Sequence, residues 1–140
     1  MKLTADTNVL LRAFVIDDPQ QTEMAQQVIA DAELIAVPVI VLCELAWVLS
    51  RQYKTSRSVI ADIIRRLTQT ANVVTVQPVV EAGLATLEAG GDFADGVIAF
   101  EGAWLGAETF VTFDKRAARL IKAQGKAVRL LTPALDGPSG

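Results

Sequence analysis

Short runs rich in apolar and β-branched residues recur along this chain, and a helix-patterned segment separates each from the next. Met1 to Ala5, Leu34 to Val37, Val73 to Val76, Thr109 to Phe113 and Ala127 to Leu131 are of strand length. A strand that returns through a helix pairs in parallel with its predecessor, and a parallel sheet needs helices over its faces. The expected architecture is therefore α/β: a three-layer α/β/α sandwich around a central parallel sheet of about five strands.

The intervening helices carry start and stop signals. Val9-Leu10-Leu11 opens one after Asp6-Thr7-Asn8, and Thr22 is placed to cap a second, in which Ala25, Val28, Ile29 and Ala32 recur at helical spacing. Pro38 suits the first position of a helix running to about Gln52, apolar nearly all round and so expected to be buried. Ser56 caps the next, with Val59, Ile60, Ile63, Ile64 and Leu67 as its stripe and Asp62, Arg65 and Arg66 facing away. Pro78 opens a helix that Gly90-Gly91 ends. Asp92 to about Leu105 follows, with Val97, Ile98 and Trp104 inward and Gly106 as its stop. Lys115 to Gln124 is the last helix, stopped by Gly125. At 140 residues this is one domain over 1–131, with Thr132 to Gly140 as a loose tail.

Composition narrows the chemistry. The chain has no histidine and a single cysteine, Cys43, which excludes an intrachain disulfide, a Cys/His zinc site and any Ser-His-Asp or Cys-His catalytic pair. Catalysis would have to rest on carboxylates, lysines or a hard metal ion. Cys43, Trp47 and Trp104 all fall on apolar helices and are expected in the core. Asp6 and Arg12 interrupt the apolar start, so it does not read as a secretory signal. Leu34 to Leu49 is the longest apolar run, but its 16 residues include Pro38 and Glu44, and a membrane span needs about 20. A soluble, cytoplasmic protein is expected.

The net charge of −3 hides a segregated pattern. Residues 1–50 carry −5, residues 51–72 carry +4, residues 73–114 carry −7 and residues 115–129 carry +6. Solubility alone does not require such blocks.

Within the acidic blocks, four acids occupy unusual places. Asp6 ends the first strand and Asp114 follows the fourth, and in open α/β sheets the ligand crevice lies at the carboxyl ends of strands. Asp95 sits in the first turn of its helix, three residues after Asp92, and Glu44 is the lone charge of the most apolar helix. Capping accounts equally well for Asp6, Asp92 and Asp114, and Asp92 with Asp95 could form a capping box. Capping does not account for Glu44, for which the competing explanation is a salt bridge to Arg12. Two like charges 4 Å apart repel by roughly 4 kcal/mol at an effective dielectric of 20. Four converging carboxylates would therefore need a counterion, and magnesium or manganese suits oxygen donors. Such an ion lowers the pKa of a bound water and can drive phosphodiester hydrolysis without histidine.

Four segments in this order resemble a PIN domain: Leu3-Thr4-Ala5-Asp6-Thr7-Asn8, Glu44 in an apolar helix after a proline, Asp92-Phe93-Ala94-Asp95-Gly96-Val97-Ile98-Ala99, and Thr112-Phe113-Asp114-Lys115. They are most similar to the VapC-type toxins of bacterial toxin–antitoxin pairs. The resemblance implies an endoribonuclease with a magnesium or manganese pocket, a homodimer and an inhibitory antitoxin. It implies that Asp6, Glu44, Asp95 and Asp114 are the catalytic, metal-holding acids, that Asp92 supports the metal, and that Asn8 and Thr112 orient the carboxylates. A metal-bound water would attack phosphorus. Gly96 is a minor departure, since a larger small residue such as alanine is common there.

Arg51 and Lys54, with Arg57, lie around a helix junction, and Lys115, Arg116, Arg119 and Lys122 lie on the helix after Asp114. They could hold RNA phosphates, form an ordinary solvated face, or pair with an acidic antitoxin. Two other readings stand beside the nuclease. A phosphatase usually wants an aspartate two residues after the first, where this chain has Asn8. A PIN-like scaffold that only binds a partner would not need its four acids.

Overall fold

The computed structural model describes residues 1–133 and is an α/β protein. In chain order its elements are β1 (Lys2–Thr4), α1 (Thr7–Phe14), α2 (Pro19–Asp31), β2 (Leu34–Ala36), α3 (Val39–Arg51) and α4 (Arg57–Thr68). Then come β3 (Val73–Val74), α5 (Gln77–Glu88), α6 (Phe93–Trp104), β4 (Thr109–Thr112), α7 (Lys115–Ala123) and β5 (Ala127–Leu130). Of the tail expected over 132–140, residues 134–140 lie outside the described residues.

All five strands form, and every pairing is parallel, as the strand–helix alternation requires. The hydrogen bonds divide them differently from the expected single sheet: β1-β2-β3 form one sheet and β4-β5 another. The strands are shorter than their apolar runs. β3 keeps only Val73 and Val74, because the chain turns at Val76 to start α5. The ladders nevertheless run on past the strand ends. Ala5 N–H donates to Ala36 O (3.1 Å), Val37 N–H to Val74 O (2.9 Å) and Leu131 N–H to Thr112 O (2.8 Å).

Caps set most helix starts. Ser56 Oγ accepts from Val59 N–H at 3.3 Å, as its position before an apolar stripe predicts. Helix α2 starts earlier than expected. Its cap is Asp18, whose Oδ1 accepts from Gln21 N–H at 3.2 Å, and Pro19 takes the first position. Thr22 is instead buried inside the first turn, where its hydroxyl donates to Val15 O. The Asp-Pro pair outranks a threonine because proline fixes the backbone dihedral a first turn needs.

The core gathers Leu10, Leu42, Leu45, Ile64, Val80 and Leu84 from α1, α3, α4 and α5. Helix α3 is buried on only one face, by Val39, Leu42, Leu45, Ala46 and Leu49. Its other face exposes Ile40, Glu44, Trp47 and Arg51, and Trp47, expected in the core, is 58% exposed. In α6 the buried stripe is Phe93, Gly96 and Val97. Ile98 is 57% exposed and Trp104 79% exposed, against the expectation for both. Ile98 is rotated off the stripe by about 100°, one residue's step in a 3.6-residue turn. Trp104, at the last turn of α6, lies beside a groove with Val76, Pro78 and Phe100 that does not enclose it.

The α5–α6 contact is unusually close. A Cβ on Gly96 would stand 2.4 Å from the Ala82 carbonyl oxygen and 2.6 Å from Thr86 Oγ1, and one on Gly83 would stand 2.5 Å from the Phe93 ring. Alanine at position 96 is therefore expected to destabilise the protein by about 1–3 kcal/mol, overpacking outweighing the ~1 kcal/mol gain in helix propensity. Urea unfolding of Gly96→Ala measures this, and a midpoint at or above that of the parent chain would contradict it.

Candidate active site

Asp6 follows β1 by one residue and is the N-cap of α1, with Oδ1 accepting from Val9 N–H at 3.0 Å. Asp114 follows β4 by one residue and caps α7, with Oδ1 accepting from Ala117 N–H at 3.0 Å. The capping explanation is thus correct for both, but it uses one oxygen of each. A carboxylate offers about four acceptor sites, so capping fixes these side chains in place without exhausting them. Thr112 takes part differently from the expectation: its hydroxyl accepts from the Asp114 backbone N–H at 3.0 Å, which fixes the turn rather than the carboxylate. Asn8 is exposed and shares a shallow crevice with Asp6 and Arg12.

Asp92 and Asp95 are different. Asp92 is the N-cap of α6 yet makes no side-chain capping bond, and the backbone N–H of Asp95 donates to Asp92 O at 3.1 Å. The reciprocal side-chain bonds of a capping box do not form among the described residues. Asp95 is half-buried, and its proton affinity is raised above the ordinary aspartate value by that burial, then by the charges of Asp92 and Asp114. Two acids, one of them from another helix, therefore act on Asp95, and none of the three forms a salt bridge among the described residues.

Glu44 lies on the exposed face of α3, which packs against α6. It is solvated, so it escapes the penalty a buried charge would carry. The Arg12 salt bridge considered for it does not form. Arg12 pairs with Asp17, which also accepts from the Tyr53 hydroxyl at 2.9 Å. Burial, and after it the charges of Glu101 and Glu44, pushes the Cys43 thiol up to about 11.

Of the expected quartet, then, Asp114 acts on Asp95, as does Asp92, three residues before Asp95 at the start of the same helix. The charges of Asp6 and Glu44 are not among those that raise the proton affinity of Asp95. Among the described residues no three acid, cysteine or histidine side chains form a ready-made metal-ligand set. The chemistry of the donors still fits a hard divalent ion, because they are all carboxylates, and burial and two acidic neighbours raise the proton affinity of the half-buried one.

The basic residues flank this region. Arg51 and Lys54 are exposed around the α3–α4 turn, and Lys54 holds a left-handed φ of 52°. Helix α7 buries Ala117, Ala118, Leu120 and Ile121 and turns Lys115, Arg116, Arg119 and Lys122 to solvent. Two arginines also brace the turn before Asp92. Arg57 Nε donates to Gly91 O at 3.1 Å and Arg116 Nη1 to Gly90 O at 3.4 Å. One signal could have found this bracing: a helix stopped at Gly90-Gly91 leaves end carbonyls in need of donors.

A family model described as the PIN domain matches residues 4–123, and the chain belongs to that family. PIN domains are generally nucleases. No curated protein matches the chain.

Because its proton affinity is raised, ionised Asp95 costs the fold stability. That cost is absent below the ordinary aspartate range, near ~3.9, grows as pH rises through it, and is complete above Asp95's own raised value. Asp95→Asn is therefore expected to raise the melting temperature at pH 7 in EDTA and to lose that advantage near pH 3. Equal melting temperatures at pH 7 would show that Asp95 is not under this strain.

Proposed function

We propose that this PIN domain is a magnesium- or manganese-dependent endoribonuclease, the toxin of a toxin–antitoxin pair. The observation that carries the reading is Asp95: half-buried, unpaired, and held beside Asp92 and Asp114 in a family of nucleases. Asp6, Glu44, Asp95 and Asp114 would hold the ion, with Asp92 supporting it. The bound ion supplies what histidine supplies elsewhere, a nucleophilic water near neutral pH, and it offsets charge building on phosphorus.

The chain's own residues do the rest. Asp6 and Asp114 are each anchored by a cap bond, so little motion is left to freeze when a ligand arrives. Thr112 fixes the turn that carries Asp114, and Asn8 stands beside Asp6. Arg51, Lys54, Lys115, Arg116 and Arg119 would hold phosphates on either side of the scissile bond, a positioning role that carries no base preference by itself. The exposed apolar residues Val76, Trp104 and Leu105 support a homodimer, because contiguous apolar surface on a monomer marks an interface. No helix among the described residues is long and apolar enough to cross a membrane. We place the protein in the cytoplasm with its RNA substrate and a cognate antitoxin.

Asp6→Asn and Asp95→Asn are each expected to lower RNA cleavage by more than 100-fold, beyond the roughly 10–100-fold that loss of a supporting partner costs. Asn8→Ala and Thr112→Val should fall within that smaller range. Chelation should abolish cleavage, and magnesium or manganese should restore it. Either aspartate variant cutting RNA at the parental rate would remove that residue from the site. The toxin role is read separately, as growth arrest on expression that the Asp6→Asn variant no longer causes.

A further inference from the structure

The exposed face of α3 leads from Glu44 to Trp47, three residues on, and to Arg51, four beyond that, along one side of the helix. At 1.5 Å per residue Arg51 lies about 10 Å along the axis from Glu44. Trp47 and Arg51 line a crevice with Cys43, Ser50, Arg57 and Asp92, closed on its far side by the Gly91 turn. Its volume is about 90 Å³, that of about three waters of liquid. It can admit a phosphate group.

The crevice also carries the right charge. Arg51 makes no salt bridge among the described residues, and Arg57 commits Nε to Gly91 O, which fixes the guanidinium while leaving its terminal amino groups without a protein acceptor there. Against Asp92 the two arginines leave one net positive charge. Trp47, at the rim, is 58% exposed on a helix that had every apolar reason to bury it. An exposed indole beside two arginines is a stacking platform next to a phosphate seat, the pairing that single-stranded nucleic acid requires.

We infer that this crevice is a nucleotide subsite for single-stranded RNA, with a base stacked on Trp47 and its phosphate seated between Arg51 and Arg57. The inference deepens the nuclease reading and rests on it for the choice of RNA. It adds something that reading lacks: the strand is gripped through an unpaired base, so a paired duplex is excluded from the site.

The test uses the full chain carrying Trp104→Phe, which leaves Trp47 as the sole tryptophan. A short single-stranded RNA oligonucleotide is titrated in EDTA, which removes cleavage from the measurement. Saturable quenching of Trp47 emission is expected, with a duplex of the same sequence failing to quench. In the parent chain, where Trp104 is kept, Trp47→Ala should weaken binding by about 5- to 150-fold, as loss of one stacked base does, and Trp47→Phe should retain most of it. Arg51→Gln and Arg57→Gln should each lower the slope of log affinity against log salt by about 0.7, the loss of one phosphate contact. Oligonucleotide binding with unchanged Trp47 emission, or Trp47→Ala binding as the parent does, overturns the subsite. The two readings fail separately. Quenching in the Trp104→Phe chain with no RNA cleavage by the parent chain in magnesium or manganese would sink the nuclease and keep the subsite. Undiminished cleavage by Trp47→Ala at unchanged KM would do the reverse.

Discussion

The approach of α6 to α5 organises the acidic end of the molecule. It depends on a hydrogen atom at position 96, since any side chain there would drive into the Ala82 carbonyl and the Thr86 hydroxyl. Asp95 precedes that glycine, so the backbone that brings the helices together also sets the depth of its carboxylate. Thr86 reaches the opposite way as well, accepting from Gln124 Nε2 at 2.8 Å beyond the end of α7. Helices α5, α6 and α7 are thereby tied near one buried threonine. Asp92 and Asp95 on one helix come within electrostatic range of Asp114 at the start of another.

Structural and chemical roles are layered on the same side chains. Asp6 and Asp114 cap helices, which places an acid at the end of a parallel strand and restricts its rotamers without using all its oxygens. Asp92 occupies an equivalent position and leaves its side chain out of the cap. Arg57 and Arg116 reach the Gly90-Gly91 turn from helices far apart in sequence and hold the peptide that carries it. The result is an anionic centre with a cationic collar, which accounts for the segregated charge blocks better than solubility does.

The order of elements was legible because strand-length apolar runs, Ser56 and the glycine stops are local signals. Parallel pairing followed from the connections alone. Less legible was everything set by neighbours. A helix apolar on all sides, such as α3, does not say which side is covered, so Trp47 was placed in the core and is not there. Ile98 and Trp104 failed for the same reason. The division of the strands into three and two depends on hydrogen bonds between distant segments. Gly96 looked like a small deviation from a motif, although its packing makes it a requirement. At the site, the residue types and their positions near strand ends were readable from sequence, whereas the action of Asp114 on Asp95 across two helices belongs to tertiary structure.

Burial and two acidic neighbours hold the Cys43 sulfhydryl at about 11. Since the thiolate is the form that peroxides and electrophiles attack, almost all of this group is inert at cellular pH. Beyond its two methionines the chain has no other sulfur, and this one is held in its less reactive form. Its one thiol is thus a structural group rather than a reactive one, and a partner would act on this chain through shape and charge.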